Sequence, residues 1–285
     1  MANKDLINDV LSVSPNRRGL LRTLGIASAA AGATLSAGGL LKADPSSPSA
    51  EDVLQFALNL EYLEAEFYTV ATSGKTIDQA PFNIGIDGMG SSGPTTGGKQ
   101  VSFGNNLVFT GTIATQIGVD ERAHVKLLRS ALMSAGTSPI AKPAINLNAL
   151  GLGFGNEAEF LTLARIFEDI GVTAYGGAAQ LMTVTSSPYI GTAARILAVE
   201  AEHVGNIRLQ IARLGIASPK LDGVDIVPPP TGTDFISADN VNGLTAIRTP
   251  GQVLYLAYGG KANVTKGGFF PNGANGVLHT SSAGA

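Results

Sequence analysis

The chain has 285 residues, a formal net charge of -3, 44% hydrophobic residues and only 14% charged ones. That is ample material for a buried core, and the acidic balance argues against nucleic acid as a partner, which needs a basic face to neutralise phosphates. Cysteine is absent, so disulfides, thiolate metal sites and a cysteine nucleophile are excluded. Any metal has to be held by carboxylate and imidazole, ligands that suit iron, manganese or zinc.

The N-terminus carries Asn16-Arg17-Arg18-Gly19-Leu20-Leu21-Arg22, followed by an Ala- and Gly-rich apolar run to Leu41 that holds no acidic residue. Arg22 and several glycines interrupt that run, which disfavours a transmembrane span. The stretch resembles a twin-arginine export signal, with Asn16 where Ser or Thr is usual and Leu20 where Phe is usual. The resemblance implies export machinery as a partner, a periplasmic or extracellular destination, and passage in a folded state that suits a cofactor inserted beforehand. Residues 1–48 are therefore set apart from the fold as signal and linker.

Four stretches then show apolar residues at helical spacing. The first opens at Ser49, an N-cap before Ala50-Glu51-Asp52, and stops at Gly74. The second runs from about Asn106 to Ala135, with Gly136 as its stop. The third starts after Asn156, a good cap before Glu157 and Glu159, and reaches about Thr185. The fourth follows Pro188 and ends at Gly215. Each would be about 40 Å long at 1.5 Å per residue, and four such helices make an all-α bundle over residues 49–215.

The connections differ in kind. Residues 186–189 allow only a short turn, so the third and fourth helices are expected to be antiparallel neighbours. Residues 136–155 can reach about 66 Å when extended, enough to return the chain along the bundle as one long crossover. The Gly/Ser/Thr-rich insert 74–105 is too long for a hairpin turn and reads as a surface elaboration or a lid. Residues 216–285 form an irregular Gly- and Pro-rich extension that either wraps the bundle or meets another subunit.

Two of the three histidines stand three residues after a glutamate, in Glu121-Arg122-Ala123-His124 and Glu200-Ala201-Glu202-His203. Positions i and i+3 share a helix face, so each pair can aim a carboxylate oxygen and an imidazole nitrogen at one point. The other two helices carry Glu61 with Tyr68, and Glu168 with Tyr175, at a spacing of two turns. The chain thus reads the same pattern twice, and it is the di-metal arrangement of four-helix carboxylate proteins. Four carboxylates in one core repel each other, and two divalent cations would neutralise them.

The run Leu58-Asn59-Leu60-Glu61-Tyr62-Leu63-Glu64-Ala65-Glu66-Phe67-Tyr68 resembles the first helix of the ferritin-like superfamily, in the branch that includes plant desiccation-related proteins and their bacterial relatives. The resemblance covers about residues 50–215. It implies metal ligands at Glu61, Glu121, His124, Glu168, Glu200 and His203, with Glu121 and Glu200 bridging the metals and Glu61 and Glu168 terminal. It also implies that Asp120 orients a ligating histidine from behind, while the equivalent place before Glu200 holds Val199. Glu64 shares the face of Glu61 and is the rival for its role. Glu66 and Glu202 are expected to be solvated or capping, Asp169 to point away from the site, and His279 to sit at the surface. Tyr68 and Tyr175 are expected as buried hydroxyls bonded to carboxylates, with a redox role as the alternative.

Such a site would hold two iron or two manganese ions and act on a small oxidant, oxygen or peroxide. The expected function is that of a non-haem oxidoreductase of ferroxidase, peroxidase or catalase type, as a monomer or a homo-oligomer. A stress-protective or structural protein with a merely structural metal site is the rival, and a mineral-storing cage comes last because insert and tail would obstruct shell packing.

Overall fold

The computed structural model describes residues 48–182 and 189–285, so the export-signal reading lies outside the described residues. Four long helices carry the fold: α1 (Ala50–Ser73), α2 (Thr112–Ser134), α3 (Glu157–Ala179) and α4 (Ile190–Leu214). A short α5 (Pro250–Ala257) follows in the tail. The protein is all-α apart from a two-residue pairing of β1 (Thr95–Thr96) with β2 (Ile145–Asn146). Among the described residues no helix is long and apolar enough to cross a membrane.

Local chemistry sets most helix ends where the residues foretell them. Ser49 and Asp52 close a reciprocal capping box at the start of α1, and Gly74 ends it in the left-handed conformation at φ 71°. Asn156 accepts the Glu159 N–H at the start of α3, and Gly215 ends α4 at φ 64°. The second helix departs from expectation. Residues Gly104–Asn106 form a 3-10 turn and Leu107–Gly111 a π-helical turn before the regular α2 begins at Thr112. Asn106 makes no side-chain cap, and its amide donates to Glu157 Oε2 at 2.8 Å. The third helix also stops earlier than the expected Thr185, at Ala179, just after Gly176-Gly177, which are poor helix formers. The close turn expected at 186–189 falls outside the described residues except for Tyr189.

Cross-helix bonds give the directions. Arg122 reaches Thr69 and Arg129 reaches Tyr62, so α1 and α2 run antiparallel. The pairs Tyr68–Glu168 and Tyr175–Glu61 make α1 and α3 antiparallel too. His203 beside Glu168 and Glu200 beside Gly171 do the same for α3 and α4. The second and third helices therefore run the same way, and residues 136–155 are the long crossover that makes this possible.

The insert is pinned to that crossover. Thr95 and Thr96 pair in parallel with Ile145 and Asn146, and Met89 bridges to Ile140. Beneath them Lys142, 1% exposed, donates to Gly93 O and Thr95 Oγ1 and pairs with Glu66 Oε1 at 3.4 Å. Glu66 is thus fully buried, which corrects its expected place in solvent: the insert folds over it and supplies two donors, Thr95 Oγ1 and the Ile77 N–H, and the crossover supplies the cation Lys142. Glu202 is exposed as expected.

The tail wraps the bundle. The Arg248 N–H bonds Thr173 O, the Asn275 N–H bonds Asn59 Oδ1, and Phe269 packs edge-on against Phe167 at 5.0 Å. Gly177 makes one of these contacts possible, because a Cβ there would stand 2.0 Å from Arg248 O. Asp169 faces away from the carboxylate cluster. It forms a buried network with Arg165 and Arg208, which in turn hold Asp225 and the carbonyls of Ile226 and Asp234.

Candidate metal centre

Each long helix delivers its share of the centre from the face that heptad-like spacing turns inward. Glu61 comes from α1, Glu121 and His124 from α2, Glu168 from α3, and Glu200 and His203 from α4. All six are buried, none more than 7% exposed. Their donor atoms form two groups, Glu61–Glu121–His124–Glu200 and Glu121–Glu168–Glu200–His203, each drawn together within 4.8 Å. Glu121 and Glu200 belong to both groups. His124 Nδ1 lies 3.3 Å from Glu61, 3.4 Å from Glu121 and 3.5 Å from Glu200. His203 Nδ1 lies 3.1 Å from Glu121 and 3.2 Å from Glu168.

The hydrogen bonds around the centre divide its oxygens unequally. Tyr175 donates to Glu61 Oε1 and Tyr68 donates to Glu168 Oε1, each tyrosine serving the glutamate of the facing helix rather than its own. One oxygen of each of these carboxylates is thereby spent. The atoms left buried without a partner are Glu61 Oε2, Glu168 Oε2, both oxygens of Glu121, both of Glu200, and the Nδ1 atoms of His124 and His203. Orphaned buried polar atoms are costly, and eight converging on one space fit bound metal. Glu61 and Glu168 thus each offer one free oxygen, and Glu121 and Glu200 each offer two.

Charge tells the same story. Burial pushes the Glu61 carboxyl up to about 7 against the pull of His124. It drives Glu200 and Glu64 well above the ordinary range, and the neighbouring carboxylates add to the rise. Glu168 is raised by burial despite His203 beside it. Glu121 is the exception: burial opposes its ionisation, yet the two imidazoles that flank it hold it at about 2. Burial likewise opposes the charge on His203, but Glu121 and Glu168 push it up to about 12, and the carboxylates around His124 raise it further. Burial, then Glu168 and Glu61, raise Tyr68 and Tyr175 well above the phenol range, which keeps both as donors.

Around the centre, Asp120 Oδ2 stands 3.3 Å from Nε2 of His203, across the bundle and not beside its own neighbour His124. Val199 has no polar group to do the same for His124. Glu64 lies outside both donor groups but close by: a Cβ on Gly171 would be 3.4 Å from Glu64 Oε1 and 2.7 Å from Glu200 Oε2. Gly171 is thus a residue of the centre by what it lacks, and nothing in the sequence pattern singles it out. His279 sits in the tail with Nδ1 2.8 Å from Gly276 O, apart from the centre.

A ferritin-like domain profile matches residues 49–213 of the chain. The chain belongs to the ferritin-like family. This ferritin-like chain is 26% identical over 280 aligned positions to ferritin-like catalase Nec2 of Nesocodon mauritianus, covering 80% of the chain and 84% of that protein. It is 28% identical over 174 positions to desiccation-related protein PCC13-62 of Craterostigma plantagineum, covering 55% of the chain and 51% of that protein. The first relative thus aligns across most of this chain, whereas the second spans about half of it.

Proposed function

We propose that the chain is an exported non-haem oxidoreductase that holds two iron or two manganese ions and acts on peroxide in the manner of a catalase. The observation that carries this reading is the pair of overlapping donor groups with Glu121 and Glu200 in common. In it Glu61, Glu121, His124, Glu168, Glu200 and His203 would hold the metal, with Glu121 and Glu200 shared between the two donor groups. When bound, the metal pair supplies the redox couple that exchanges electrons with peroxide. The chain's own groups do the rest. Tyr175 and Tyr68 hold Glu61 and Glu168 to one free oxygen each, and Asp120 orients the His203 ring. The similarity to a ferritin-like catalase across most of both chains supports peroxide over other small oxidants. A stress-protective role with a structural metal site is the second reading, favoured by the similarity to a desiccation-related protein.

Elemental analysis of protein purified from its native host tests the first reading beside a Glu121→Ala/His203→Ala variant. About two equivalents of iron or manganese per chain are expected, absent from the variant, together with oxygen release from hydrogen peroxide that the variant loses. Metal without peroxide turnover would favour the structural role, and metal in neither protein would end both readings of the centre.

A further inference from the structure

A cavity of about 290 Å³ opens between α1, α3 and the tail. Its walls are apolar, built from Leu63, Phe167, Ile170, Leu256 and Phe269, and its rim includes the exposed Lys220 and Gly260. Glu64, only 5% exposed, lines the same cavity. Its carboxyl accepts no hydrogen bond from any described residue, and its oxygens are not among the fully enclosed unpartnered atoms, so they touch open space. The tail makes this chamber, since without α5 and Phe269 one wall would be open to solvent. Glu64 Oε1 and Glu200 Oε2 both border the space that a Cβ on Gly171 would fill, so the chamber adjoins the carboxylate cluster.

We infer that the chamber is a binding site for a small neutral molecule with an apolar body and one hydroxyl group, whose O–H donates to the Glu64 carboxyl. The walls suit the body of an alcohol or a phenol, and a charged ligand would give up hydration that they cannot replace. The volume lies near the lower end for small-molecule pockets, roughly 300 Å³, which limits the ligand to a compact one. The inference stands on the cavity and its unpartnered carboxyl, so it holds whether or not the centre carries metal.

Titration calorimetry on the full chain with 4-ethylphenol and ethylbenzene, which differ by one hydroxyl, tests it. The wild type is expected to bind the phenol about tenfold more tightly, the worth of one hydrogen bond to a buried acceptor. Glu64→Leu keeps the volume and removes the acceptor, so the preference should vanish while ethylbenzene still binds. Leu256→Trp fills the cavity from its wall and should abolish both. No binding by the wild type, equal binding of the two probes, a preference that survives Glu64→Leu, or binding untouched by Leu256→Trp would each overturn the assignment.

Discussion

At the scale of single residues, the centre depends as much on groups that spend or leave space as on those that bind. Tyr175 commits Glu61 Oε1, so Tyr175→Phe removes a donor and frees that oxygen. We expect the variant to fold and to bind metal roughly tenfold more weakly, in keeping with the usual loss when a supporting hydrogen bond to a ligand is removed. Competition with a chelator of known affinity checks this. Gly171→Ala should pull two quantities in opposite directions. Alanine in a helix interior is favoured over glycine by about 1 kcal/mol, so the metal-free protein should not lose stability through its backbone. The new methyl would stand 2.7 Å from Glu200 Oε2, however, and that carboxylate would have to turn away. The expected outcome is a lower metal content with an unchanged or higher melting temperature before metal is added. A variant that keeps its full metal content would show that Glu200 is not held where the donor groups place it.

Among the elements, the insert and the crossover meet the bundle at a buried ion pair, Glu66 with Lys142, whereas β1 and β2 are only two residues each. Glu66→Leu would leave Lys142 charged, 1% exposed and without its carboxylate. Breaking one side of such a pair typically costs about 3–5 kcal/mol, whereas replacing both sides with apolar groups is often neutral. Denaturant unfolding should therefore show a large loss for Glu66→Leu and a recovery of most of it in Glu66→Leu/Lys142→Met. A double variant no better than the single one would mean that Thr95 and Ile77, which also donate to Glu66, carry the contact.

For the molecule as a whole, the proposed function makes metal and protons competitors for the same core. Glu61, raised to about 7, and His203, raised to about 12, both bind protons more readily in the folded chain than in the unfolded one. The stability these groups contribute is full below their unfolded values, about 4.5 and 6.5, and is lost as pH rises through the folded ones. Glu121, held at about 2, works the other way: its contribution is present above about 4.5 and lost as pH falls toward 2. The metal-free protein should accordingly lose stability between about pH 5 and pH 8. Metal must displace the same protons, so its affinity rises over that range. A ligand at a hundredfold excess over its dissociation constant stabilises by about 2.7 kcal/mol. In a chain of this size that is a rise in melting temperature of roughly 5–10 °C. Scanning calorimetry with and without manganese should show a larger gain at pH 8 than at pH 6, and equal gains would place the metal elsewhere.

Much of this was legible before any coordinates. Helical periodicity, Ser49, Gly74, Asn156 and Gly215 mark the helices because caps are local chemistry. The doubled Glu-x-x-His pattern marks the centre because three residues along a helix always bring two side chains to one face. What depends on the meeting of distant segments was not legible. No spacing rule says that Tyr68 serves Glu168 and Tyr175 serves Glu61, for that follows from the antiparallel packing of α1 and α3. Nor does helical phase say that Glu66 is buried, since its partners Lys142, Thr95 and Ile77 come from the crossover and the insert. The chamber beside Glu64 needs a tail that shows no strong pattern of its own. The sequence by itself determined which side chains could ligate, because that is set by residue type and helix pitch. Tertiary structure alone decided which carboxylate oxygens stay free, which charges are buried and what the tail encloses, because those depend on contacts between segments far apart in the chain.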